Sequence, residues 1–212
     1  MCLTTKESIS AFILLVVVSV LLFFRDNGYD RLICALFLVI SLIQFTEFLL
    51  HAGCISPDTG GRLIYLILWL QVTVFAIGLE VEFHTTFTKC WAAIFSLIFI
   101  IALYHSFDRK FDVSQEYGHL VWTKENENGN ILGPSAILYM IGLFIPFFII
   151  QYYNNWSNIP IWIILAALIL SFLLVRIFYP KLVFSSLWCY SAIGVLFVAW
   201  LVGAYNEHSN KI

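Results

Sequence analysis

Charged residues are scarce in this chain, and their scarcity argues against a water-soluble domain. Of the 212 residues, 11% are charged and 61% are hydrophobic, and the mean hydropathy is +0.92. In a typical soluble domain about a quarter of all residues are charged, and these residues cover much of its surface. The net charge of −2 and the lack of a basic stripe argue against a nucleic-acid partner. The composition therefore predicts the lipid bilayer as the main partner.

Cysteine is sparse and irregularly placed. The five cysteines show no CxxC or metal-finger spacing, and an odd number lying mostly in apolar runs is not typical of a secreted disulfide framework. A cleavable leader is not indicated either, because no small-residue cleavage site follows the first apolar run and Arg25-Asp26 stands there instead. Aromatic residues, at 17%, suit lipid-facing surfaces and membrane interfaces.

Long apolar runs separated by polar or Gly/Pro/Asn clusters predict seven membrane-spanning helices. Each run is close to the roughly 20 residues that cross a bilayer, and in lipid only a helix satisfies its own backbone. The predicted spans are 9–24, 30–51, 62–82, 90–106, 133–152, 158–178 and 181–205. We therefore predict an all-α fold, a single seven-helix transmembrane domain over residues 1–212.

One connection is much longer than the others. Residues 107–132 form a polar loop, and a loop of this length between packed helices is often functional. Seven spans would place the two termini on opposite sides, here named side A (the N-terminal side) and side B. Side A carries seven Lys and Arg residues and side B carries four, which favours a cytoplasmic N-terminus of a multi-pass membrane protein.

A carboxylate lies inside the second apolar run. Glu47 follows Gln44 by three residues and precedes His51 by four, so helical spacing places the three on one face. An acidic side chain within a membrane helix costs about 2.5–3.5 kcal/mol on insertion scales, and helices that keep one usually use it or pair it. The pattern predicts a polar site toward the side A end of the second helix.

Other polar or reactive side chains are predicted near the same side. They lie in the middle of the third span, in the long loop, in the first half of the last span and at the N-terminus: Gln71, His119, Ser186, Trp188, Cys189 and Cys2. Their common side predicts one pocket around Glu47 that opens to side A.

Three short motifs carry a resemblance to a known family. The Met1-Cys2 start, the Ile43–Glu47 stretch and the Ser185–Tyr190 stretch resemble an uncharacterised family of seven-helix membrane proteins of bacteria and large DNA viruses. Its members commonly begin Met-Cys-Phe-Ser, have Gln-x-x-Glu in helix 2 and end on a Ser-x-Trp-Cys helix. This chain departs from the pattern at two places. Leu3-Thr4 replaces Phe-Ser, and Phe48 stands where many members have glycine.

The resemblance implies a seven-helix fold and a set of candidate positions, without a reaction. Those positions are Cys2, Gln44, Glu47, Trp188 and Cys189.

Three classes of function fit these residues, and whether the protein is an enzyme stays open, as does any cofactor. The first is a pocket that binds or moves a small ligand, an ion or a proton. The second is a membrane-embedded lipid hydrolase. It would use a metal held by Glu47 and His51 together with His119 or His105, or a thiol of Cys2 or Cys189. The third is a structural or host-interaction protein, in which Glu47 joins helices.

Overall fold

The computed structural model describes residues 5–25, 29–116, 119–124, 135–154 and 159–178, together with Gly194 and Phe197. In chain order its elements are α1 (Thr5–Arg25), α2 (Asp30–His51), α3 (Pro57–Phe83), α4 (Thr86–Asp108), β1 (Phe111–Glu116), β2 (His119–Lys124), α5 (Ala136–Tyr153) and α6 (Ile159–Phe178). Among the described residues, five helices, α1 to α5, are long and apolar enough to cross a membrane.

The helical, membrane-spanning character predicted from the sequence is therefore confirmed, whereas the count of seven helices is not. The sixth predicted span corresponds to α6. The seventh, 181–205, lies outside the described residues except for Gly194 and Phe197.

Helix ends are set by short polar motifs that extend beyond the apolar runs. Ser56 caps α3 by accepting a hydrogen bond from the Thr59 backbone N–H at 3.2 Å, and Pro57 begins the helix. Thr85 and Thr88 bond reciprocally at the start of α4 and form a capping box. Both helices consequently begin several residues before their apolar stretches.

The helices pack as an antiparallel series in which α2 and α3 are the most enclosed. Both bury most of their side chains, whereas α1 and α4 bury only a minority of theirs, which suits helices that face lipid. Leu50 lies against Gly60 at one end of the α2–α3 pair and Leu32 lies against Gly78 at the other. A larger side chain at either glycine would require the facing leucine side chain to move.

Polar contacts also join neighbouring helices. The Arg25 guanidinium donates two hydrogen bonds to the Asp30 carboxylate, at 2.6 and 2.7 Å, and so connects α1 to α2 on side B. Between α3 and α4, the Thr73 hydroxyl lies 3.1 Å from the carbonyl oxygen of Phe95. Gly142 of α5 packs against the Phe95 ring, so three helices meet at this point.

The prediction of a polar loop at 107–132 is partly wrong, because much of this segment forms regular secondary structure. Helix α4 continues to Asp108, and β1 and β2 form an antiparallel hairpin with Phe111 opposite Lys124 and Glu116 opposite His119. The physical reason lies in the residues themselves. Residues 111–116 and 119–124 contain β-branched and aromatic residues and are separated by Tyr117-Gly118, a pattern typical of a hairpin.

Candidate functional site

Gln44 and Glu47 are fully buried in the most enclosed part of the helix bundle. Their side chains are 0% exposed, and their spacing of three residues places them on neighbouring turns of α2. The rest of α2 is mostly apolar, so the helix forms and packs without help from these two polar groups. A carboxylate and an amide are therefore held on adjacent turns within an apolar interior.

The α2–α3 register gives the depth of this pair. Because Leu50 meets Gly60 and Leu32 meets Gly78, Glu47 lies at the level of Leu63 and Gln44 at the level of Leu66. His51 is half-buried in the last turn of α2, one turn closer to side A. Glu47 and His51 thus run from the interior toward the end of the helix.

Gln71 belongs to a second polar group, deeper in the bundle. It is 0% exposed, and its side-chain oxygen accepts a hydrogen bond of 2.6 Å from the Tyr139 hydroxyl of α5. The Tyr139 ring also meets the edge of the Trp69 ring, with centroids 6.5 Å apart and planes at 88°. Gln71 is five residues beyond the level of Gln44, which corresponds to about 7 to 8 Å along the helix axis.

Two donors of this deeper group lack acceptors. In the described part of the chain, the side-chain nitrogen atoms of Gln71 (Nε2) and Trp69 (Nε1) are buried and have no hydrogen-bond partner. A buried donor left unsatisfied costs about 1–3 kcal/mol. Such a cost inside a well-packed helix bundle needs an explanation.

The hairpin is attached to the first turns of α3, at the side A end. The Asp58 carboxylate accepts a hydrogen bond from the Phe111 backbone N–H at 2.9 Å and another from Arg62 at 3.1 Å. The Phe111 side chain is buried and packs over Gly61. The centroid of its ring lies 5.5 Å from the centroid of the Tyr65 ring. The start of the long connection is therefore fixed beside the end of α2 that carries His51.

The opposite end of the bundle has polar contacts of a different kind. Glu80 accepts a hydrogen bond of 2.7 Å from the Thr88 hydroxyl, and His84 ends α3 in a left-handed conformation with its side chain exposed. Tyr29, ahead of α2, is hydrogen-bonded to Asn154, and burial raises the pKa of its hydroxyl. These groups connect helix ends and lie far from Glu47.

The remaining predicted site residues are only partly located. His119 begins β2, opposite Glu116. Cys2, Ser186, Trp188 and Cys189 lie outside the described residues, so their place in the pocket stays a prediction. Among the residues that the structure describes, no group of three or more His, Cys, Asp or Glu side chains is placed to hold a metal ion.

Comparisons with protein-family models, with curated proteins and with solved structures find no match to this chain. Its function is therefore inferred from the geometry of the polar groups.

Sequence reasoning missed two residues of the deeper group. Tyr139 lies in an apolar run of α5, where a tyrosine reads as a packing residue, and Trp69 lies two residues before Gln71. The available signal was chemical: a buried tyrosine hydroxyl or indole N–H usually requires a partner. The packing of α5 on α3 determines which residue accepts the hydrogen bond of the Tyr139 hydroxyl.

Proposed function

We propose that this protein is a multi-pass membrane protein whose polar pocket around Glu47 opens to side A and binds or moves a small ligand, an ion or a proton. The single observation that supports this proposal is the complete burial of Gln44 and Glu47 on neighbouring turns of the most enclosed helix. A carboxylate at such depth is stable as the protonated acid or beside a cation. A proton or a small cation is accordingly the occupant that suits Glu47 best.

Each polar residue has a role in this proposal. Glu47 binds the proton or cation. Gln44, one turn deeper, offers a neutral donor and acceptor that hold a hydrogen bond whatever the charge of the occupant. His51, half-buried one turn closer to side A, passes the proton between Glu47 and water at that side. Arg62 and Asp58 at the same end form a salt bridge with each other at 3.1 Å, so both are already paired.

The test measures proton flux in vesicles that contain the purified protein and a trapped pH-sensitive dye. After an external pH step, we expect wild-type vesicles to equilibrate faster than protein-free vesicles. Glu47→Gln removes the titratable group at nearly constant volume and should lower the rate to that of protein-free vesicles, while Glu47→Asp should retain part of it.

The matched control is Glu82→Gln, the same chemical change at an exposed position near side B. It should leave the rate at the wild-type level. Repeating the step with a sodium or potassium gradient identifies a cation that travels with or against the proton. Equal rates for wild type and Glu47→Gln under all of these gradients would contradict the proposal.

A further inference from the structure

The start of the β-hairpin and the side chains of the Glu47 pocket lie on the same flank of the α2–α3 pair. On α2, Leu50 faces α3, and His51 and Glu47 are turned away from it by about 100° and 60° in the same rotational sense. On α3, Gly60 faces Leu50, and Gly61 is turned away from Gly60 by about 100°. Because the two helices run antiparallel, these rotations bring His51, Glu47 and Gly61 to one flank.

The start of the hairpin also lies at the level of the side A end of the pocket. Because Gly60 meets Leu50, the first turns of α3 share a level with the last turn of α2. That turn contains His51, and Phe111 packs on the first turns of α3. Packed helices are about 8–10 Å apart, so residues on one flank at one level border the same groove. The hairpin therefore begins at the side A mouth of the groove that leads to Glu47.

One carboxylate attaches the hairpin at this mouth. Asp58 accepts the Phe111 backbone N–H through Oδ1 at 2.9 Å and Arg62 through Oδ2 at 3.1 Å, so each oxygen holds one donor. The Arg62 guanidinium also lies over the Phe107 ring, 5.9 Å from its centroid, in the last turn of α4. Asp58 and Arg62 thus hold the chain on both sides of the α4–β1 connection.

That connection gives the hairpin a short hinge. Only Arg109 and Lys110 separate the end of α4 from Phe111, and Arg109 has an extended backbone with φ −111° and ψ 143°. Hinges are usually a few residues at the end of an element that absorb a change of φ and ψ. If Phe111 leaves Gly61, rotation at these two residues can move the hairpin while α4 stays in place.

We propose that the hairpin is a strap across the side A mouth of the Glu47 pocket, held closed by Asp58 and opened when Phe111 leaves α3. This inference rests on the proposed function, because the strap controls the access of protons or small cations to Glu47. The closed strap limits exchange between His51 and water at side A, and the open strap permits it.

The first measurement reports the position of the strap without any flux. In full-length protein whose native cysteines are replaced by alanine, His51→Cys is labelled from side A of oriented vesicles with a membrane-impermeant maleimide. We expect Asp58→Ala to raise the labelling rate about tenfold, the usual effect of losing one charge-assisted hydrogen bond that holds the closed form. Gly61→Ala should also raise the rate, because its Cβ would lie 2.5 Å from the Phe111 Cβ.

Two native cysteines are the matched controls. Cys54 is exposed in the connection that follows His51, so a variant that retains only Cys54 should react at the same rate with and without Asp58→Ala. Cys34 is buried in α2, and a variant that retains only Cys34 should stay unreactive in both backgrounds. Labelling of Cys34 after Asp58→Ala would show general unfolding in place of a moving strap, and would overturn the inference.

The second measurement is the proton flux in vesicles, and it needs no introduced cysteine. Asp58→Ala should equilibrate faster than wild type, and Asp58→Ala combined with Glu47→Gln should fall to the rate of protein-free vesicles. Unchanged labelling of His51→Cys in both Asp58→Ala and Gly61→Ala, or wild-type flux in Asp58→Ala, would overturn the strap. Faster labelling with a flux that does not depend on Glu47 would contradict the proposed function and would support a strap that moves.

Discussion

Single polar side chains in apolar helices are the main feature of this protein at the scale of residues. Gln71 shows how such a side chain is accommodated: α5 presents a tyrosine hydroxyl to its oxygen, at 2.6 Å. The bond joins two helices at a place where the other contacts are apolar, such as those of Gly142 with Val72 and Phe95. Packing sets the rotation and depth of the two helices, and the hydrogen bond adds a polar contact where they meet.

Tyr139→Phe tests the contribution of this bond to stability. The variant keeps the ring but leaves the Gln71 oxygen without the Tyr139 hydroxyl, and we expect it to lower the free energy of unfolding by about 1–3 kcal/mol. The measurement is denaturant-induced unfolding of the purified protein in detergent. Tyr104→Phe, at an exposed position of α4, is the control and should change stability by less than about 0.5 kcal/mol. Equal stabilities of the two variants would contradict the prediction.

At the scale of elements, the β-hairpin is the least expected part of the structure. Its attachment to α3 includes the hydrogen bond from the Phe111 N–H to Asp58 and the packing of Phe111 over Gly61 and Tyr65. Isolated two-stranded hairpins are marginal in water, so this attachment is an important source of its order. The hairpin begins at side A, where the proposed pocket opens.

Asp58→Ala should loosen the hairpin. It removes the acceptor of the Phe111 N–H and the ionic partner of Arg62. Loss of one charge-assisted hydrogen bond should raise the rate of amide hydrogen exchange in 111–124 by about tenfold. Mass spectrometry of peptides from the hairpin measures this rate.

The control for this prediction is Asp108→Ala, which removes an exposed carboxylate at the end of α4. It should leave exchange in the hairpin at the wild-type rate. Gly61→Ala is a second disrupting variant, because the added Cβ would lie 2.5 Å from the Phe111 Cβ. Wild-type exchange in both Asp58→Ala and Gly61→Ala would show that the hairpin is held by other contacts.

At the scale of the whole molecule, the alternating direction of the helices assigns each connection to a side. The connection between α2 and α3 contains Cys54, and the first turns of α4 contain Cys90. Both cysteines are exposed, and α3 lies between them in the chain. If α3 crosses the membrane, these two thiols lie near opposite faces.

Single-cysteine variants test this arrangement. A membrane-impermeant maleimide should label the variant that retains only Cys54 from one side of sealed, oriented vesicles, and the variant that retains only Cys90 from the other. With a cytoplasmic N-terminus, Cys54 reacts from the cytoplasmic side. The variant that retains only Cys34, which is buried in α2, is the unreactive control. Labelling of Cys54 and Cys90 from the same side would contradict the membrane topology.

The sequence alone determined much of the chain's one-dimensional layout. Apolar runs located α1 to α6 because a membrane-spanning helix needs about 20 apolar residues, whatever its neighbours are. The ends of α3 and α4 were less predictable, since Ser56 and Thr85 extend these helices into polar sequence. The sequence also indicated Gln44, Glu47 and Gln71 as the unusual polar residues, and the structure places all three at 0% exposure.

Only the tertiary structure decided which of these groups meet. The register of α2 against α3 separates Glu47 from Gln71 by about two helical turns, so the two side chains lie at different levels of the bundle. The packing of α5 on α3 selected Tyr139 as the partner of Gln71 and brought Trp69 beside it. Hydropathy can be read along the sequence, and it located the helices. Hydrogen bonding between helices depends on their rotation and depth, which the packing of neighbouring side chains sets.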